Sequence, residues 1–176
     1  MRNQPYRSEK GRAVKECLKK LTATVFAFGS TFAGQVAVAD TDDNGQTIYR
    51  AAEHKTFEGP SDIFTGNVHV EMLFPSNDTA RYSGAYVTFQ PGARSAWHLH
   101  PAGQHIVVTE GVGLTGTWDG EVTEIHVGDA IWCPPGVKHW HGATPDTAMT
   151  HLVVTASLDG KNVEWKEKVS DEQYNA

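Results

Sequence analysis

Beyond residue 48 the chain is cut into short segments rich in β-branched and aromatic residues, each closed off by Gly, Pro, Asp or Asn. No long stretch carries a helical repeat. Segments 68–74, 82–90, 106–109, 113–118, 122–127 and 149–156 mostly alternate apolar with polar residues, the pattern of strands with one buried face. Asp119-Gly120 between two such runs marks a tight hairpin, and Pro91-Gly92, Pro135-Gly136 and Asp159-Gly160 mark further turns. At the C-terminus, Ser170-Asp171-Glu172-Gln173 reads as a capping box that starts one short helix. Many short strands at regular spacing predict an all-β single domain, a sandwich or closed barrel, with a short C-terminal helix.

The first forty residues have a different character. Residues 1–20 hold seven Lys and Arg against two Glu, and an apolar, small-residue stretch follows, ending in Ala37-Val38-Ala39. That order predicts a signal peptide over 1–39 cleaved after Ala39, a flexible arm over 40–47 and one domain over 48–176, in a periplasmic or secreted protein. A membrane anchor is the alternative, weakened by the polar residues scattered from Thr22 to Gln35. Seven of the 15 basic and two of the 21 acidic residues lie in 1–39, so the rest is formally −11. Such a surface argues against nucleic acid and, after processing, against a membrane; it suits a small-molecule substrate. Cys133 is the one cysteine left after processing, so no internal disulfide forms, and its place between Trp132 and Pro134 predicts burial.

Three of the nine histidines stand apart by spacing. His98 and His100 lie two apart in a β-like segment and so share a face. Gln104 follows the turn Pro101-Ala102-Gly103 and offers an amide oxygen; His139 follows the rigid Pro134-Pro135-Gly136 turn. Three imidazoles and one oxygen can hold a divalent ion while leaving it open positions, as a reactive site requires.

These spacings carry a resemblance. Gly92, His98-Leu99-His100, Gln104 and Gly111 (residues 92–111) are similar to the first cupin motif; Gly128, Pro134-Pro135-Gly136 and His139 (within 128–143) are similar to the second. Gln104 and Ala143 depart from the usual Glu and Asn. Phe57-Glu58-Gly59, Trp97-His98, Lys138-His139-Trp140-His141-Gly142 and Ala148-Met149-Thr150-His151-Leu152 narrow the resemblance to small manganese cupins with hydroxynitrile lyase activity. It implies a cupin domain, that is, a double-stranded β-helix or jelly-roll barrel, with one divalent ion on His98, His100, Gln104 and His139. Manganese(II) is the implied metal, with iron(II), zinc(II) or nickel(II) as alternatives.

The resemblance also implies that His151 is the acid/base group and that Ala85 and Val87 are small pocket walls. Thr155 stands where the lyases carry a Gln, so this chain lacks one amide donor there. The expected activity is cleavage or formation of cyanohydrins such as (R)-mandelonitrile. An iron-dependent oxygen-using cupin and a non-catalytic small-molecule-binding cupin are the alternatives. A homodimer is expected, with 163–169 as a candidate edge strand. His141 shares parity with His139 and either backs the metal ligands or merely ends a strand. For His151 the alternative is a core histidine bonded to a backbone carbonyl. His105 is expected outside, His54, His69 and His126 solvated, and Trp97, Trp132 and Trp140 in barrel packing.

Overall fold

The computed structural model describes residues 40–41 and 45–176; the predicted signal peptide, 1–39, lies outside the described residues. A small hairpin, β1 (Asp40–Thr41) with β2 (Thr47–Ile48), opens the described chain in the segment read as an arm. The domain is then built from β3 (Lys55–Glu58), β4 (Phe64–Thr65), β5 (Val68–Phe74), β6 (Tyr82–Phe89), β7 (Arg94–Ser95), β8 (His98–Leu99) and β9 (Gln104–Thr117). It continues through β10 (Val122–His126), β11 (Ala130–Cys133), β12 (His139–Ala143), β13 (Met149–Ala156), β14 (Glu164–Trp165) and the helix α1 (Asp171–Tyr174).

Among the described residues all strand pairs are antiparallel. One sheet runs β3-β5-β6-β13-β9-β11; in the other, β9 lies between β10 and β12, and β12 continues to β7 and β8, which pair with β4 and β14. The predicted strands 106–109 and 113–118 are thus one strand. Residues 104–107 of β9 pair with β11 in the first sheet, and residues 113–117 pair with β12 in the second. The switch falls at Gly111, whose φ is +73°, and where a Cβ would stand 1.8 Å from the Ala148 carbonyl oxygen. Only glycine can make that bend without breaking the ladder.

Alternation sets what each strand buries. Along β13, Met149, His151, Val153 and Thr155 point inward, and β6 turns Ala85, Val87 and Phe89 to the same core. Phe64, Ile125 and Ala143 from the second sheet pack against these residues, closing the jelly-roll barrel that the resemblance implies. Every residue of β12 is buried because the C-terminal tail covers its outer face. Val169 and Tyr174 of the tail pack in one cluster with Trp140 of β12 and with Trp97, Tyr174 donates to the Ala143 carbonyl at 2.7 Å, and Arg94 bonds Asp171 at 2.5 Å. The capping box at Ser170 and Gln173 is formed.

Some side chains lie elsewhere than the sequence suggests. Trp97 and Trp140 are packed, but Trp132 is 48% exposed, because in β11 it is the neighbour Cys133 that faces the core. Trp132 instead lies against the outward-facing His105, its cross-strand partner. His54 is not solvated: its Nδ1 is 2.7 Å from Glu71 and its side chain is 12% exposed. His69 and His126 are exposed, as expected. Burial raises the Cys133 thiol to about 11, so it stays protonated and inert. The candidate edge 163–169 forms only the two-residue β14, which sits at a sheet margin beside β8.

Candidate metal centre

Backbone pairing brings the four expected donors together. His98 and His139 are direct cross-strand partners between β8 and β12. His100 lies just past β8, and its carbonyl accepts from the Gly136 N–H at 3.1 Å, which ties the Pro134-Pro135-Gly136 turn to the His-x-His segment. Gln104, first residue of β9, is opposite Cys133 on one side and Thr155 on the other. All four donors are buried, and one ligand nitrogen from each of His98, His100 and His139 lies within 4.8 Å of the others.

Hydrogen bonds determine which atoms face inward. Nδ1 of His98, His100 and His139 meets the carbonyls of Ala96 at 2.9 Å, Asn162 at 2.6 Å and Val137 at 3.0 Å. Only a protonated Nδ1 can satisfy a carbonyl, so each ring carries its lone pair on Nε2. The Gln104 amide donates through Nε2 to Thr155 Oγ1 at 2.9 Å, which leaves Oε1 as its free end. Nε2 of His100, Nε2 of His139 and Oε1 of Gln104 are buried with no hydrogen-bond donor from the protein. Converging buried acceptors are costly unless something positive joins them, and a backbone carbonyl on the far ring nitrogen is the usual support of a metal-binding imidazole. The residues therefore fit a divalent cation.

Burial is the main cause that lowers the basicity of these rings. His98 is held well below the ordinary imidazole range, with repulsion from His139 adding to the effect; His100 is lowered, and His139 falls to about 4. At neutral pH all three are uncharged, the form that binds a metal. None of the described residues around the adjoining cavity is acidic. A bound ion would therefore keep its full positive charge.

That cavity, of about 280 Å³, is walled mainly by apolar side chains, among them Phe57, Ile63, Phe64, Val70, Met72 and Val153. Ala85 and Val87 line it as the sequence suggested, as do His98, His100, Gln104, Thr155 and Trp165. His141 lines it as well, whereas His151 does not. The two form a pair, His151 Nε2 standing 2.9 Å from His141 Nδ1, and Phe89 packs against both rings. The partner of His151 Nε2 is thus another imidazole. His141 Nε2 has no protein partner and is the nitrogen left for a ligand. Burial lowers both, His151 to about 4 and His141 well below the ordinary range.

Sequence reasoning missed the Thr155–Gln104 bond, the Asn162 support of His100 and the place of His141 between cavity and His151. Strand parity could mark Gln104, Thr155, His141 and His151 as inward, but Asn162 acts through its backbone carbonyl outside any strand, and none of the contacts is local in sequence.

A family profile described as a cupin domain matches residues 85–155. The chain is 54% identical over 127 residues to an (R)-mandelonitrile lyase of Granulicella tundricola, across 72% of this chain and 97% of that protein. Among solved structures it is similar to a cupin-like protein from Thermotoga maritima, at a TM-score of 0.64 and 38% identity over 67% of this chain and 90% of that one. It is also similar to a polyketide cyclase from Streptomyces resistomycificus, at a TM-score of 0.57 over 72% of this chain and 88% of that one. At 22% identity that likeness bears on the fold alone.

Proposed function

Because the chain belongs to the cupin family, we propose that it is an exported, metal-dependent carbon–carbon lyase that cleaves or forms cyanohydrins of aromatic aldehydes such as (R)-mandelonitrile. The observation that carries this reading is the convergence of three imidazole lone pairs and one amide oxygen beside an apolar cavity that also presents His141, with His151 bonded to it. The name of the Granulicella relative supports the reaction class. Manganese(II) is the proposed ion, held by His98, His100, Gln104 and His139. Bound there, it would supply Lewis acidity, lowering the pKa of a substrate hydroxyl.

The protein's own part is positioning and proton handling. Phe57, Phe64, Val70 and Met72 receive the aryl group and exclude water, and the small Ala85 and Val87 leave room for it. His141 Nε2 accepts the hydroxyl proton, and the Nδ1 proton of His141 shifts toward His151 Nε2, 2.9 Å away. The O–H electrons form the aldehyde carbonyl as the carbon–cyanide bond breaks, its electron pair leaving with cyanide. The imidazole pair then returns the proton, giving hydrogen cyanide.

Purified protein loaded with manganese should release cyanide from mandelonitrile and consume the R enantiomer first, with about one ion per chain by elemental analysis. No cyanide from protein that holds the ion would overturn the lyase assignment. If the protein is exported, N-terminal sequencing of a periplasmic extract should begin at Asp40; an intact Met1 on a cytoplasmic species would remove that part.

A further inference from the structure

We infer that Thr155 is a positioning residue for the metal centre, its hydroxyl accepting the Gln104 amide N–H so that the amide oxygen faces the imidazole lone pairs. The inference rests on the metal reading above and deepens it. Gln104 and Thr155 are opposed across β9 and β13, both are buried, and Gln104 Nε2 is 2.9 Å from Thr155 Oγ1. The two ends of an amide are nearly alike in shape but opposite in chemistry: the oxygen has lone pairs for a cation, and the NH2 group has none to offer. The amide torsion is soft and roughly two-fold, so its own preference does not choose between the ends.

Holding the oxygen toward an ion forces the NH2 group the other way, into a buried site. Thr155 Oγ1 is the acceptor it meets there. With no hydroxyl at 155, the amide would have either to strand its NH2 group or to turn it toward the three imidazole nitrogens, where it would oppose a cation. The penalty falls on the metal-bound state, because in the metal-free state a turned amide can donate to an imidazole.

Thr155→Val tests this with little change of shape, and valine suits a strand. Metal-free protein should keep the parent's circular dichroism and melting temperature. Affinity for manganese(II) and cobalt(II), measured against a competing chelator, should fall about 10–100-fold, the scale of losing an outer-shell partner. The visible absorption of the cobalt(II) form should shift as the amide oxygen leaves the ion. Thr155→Ser, which keeps the hydroxyl, should restore both affinity and spectrum. Parent-like affinity and spectrum in Thr155→Val would overturn the inference, as would a Thr155→Ser protein no better than Thr155→Val. Failure of the parent itself to bind either ion would overturn the metal reading instead.

Discussion

Replacing His139 by Ala should leave the purified protein without bound divalent metal, whereas replacing His105 should leave the content at about one ion per chain. His139 is the donor brought by β12; the other three lie between residues 98 and 104. Alanine there leaves at most two imidazoles and an amide oxygen, and the loss of affinity should exceed about 100-fold, more than an outer-shell change causes. His105 is one residue from Gln104 but faces outward against Trp132, so it serves as the control. Elemental analysis after exhaustive dialysis gives the answer. Retention of metal by the His139→Ala protein at the parent's level would remove the assigned donor set.

The second large effect concerns the imidazole pair. His141→Ala and His151→Ala should each keep the metal and lower turnover of mandelonitrile by roughly 10²–10⁴-fold, the scale of a positioned acid or base. Because His141 lines the cavity and His151 is reached through it, the His141 change should be at least as damaging. Acid should act in the same direction. Burial lowers the His151 pKa from its ordinary value to about 4, so the ring is neutral above that pH and turnover should decline only as pH falls toward it. Burial lowers His139, one of the proposed metal ligands, to about 4 as well, so metal content is measured at each pH to separate the two causes. A His151→Ala protein that turns over normally would leave the cavity imidazole as the sole proton acceptor; normal turnover in both variants would remove the pair from the reaction.

Much of the fold was legible because the strands carry a period-2 pattern and the turns carry their own chemistry. The six segments singled out lie on strands, and the capping box at Ser170 stands. The short β4 and β7 were not legible, since two residues hold no periodicity. The unity of β9 was hidden by Gly111, which reads as a break but serves as a bend. Trp132 shows the limit of composition: aromatic rings are usually packed, yet its parity turns it outward.

The sequence by itself determined the all-β class, the inward parity of His98 and His100 and the set of four candidate donors. The first two depend on spacing along single segments, which strand geometry converts into direction, and the donor set on two motifs whose spacings resemble those of cupins. Only the tertiary structure decided which atom of each donor faces inward, since that follows from carbonyls at Ala96, Asn162 and Val137 and from the hydroxyl at Thr155. It likewise decided that His141 meets the cavity with His151 bonded to it, and that Thr155, in sequence a missing amide, is the partner of Gln104. Pairing between β9 and β13 joins residues 51 apart in the chain, and which residue stands opposite which depends on the register of the whole sheet, a property that no single segment carries.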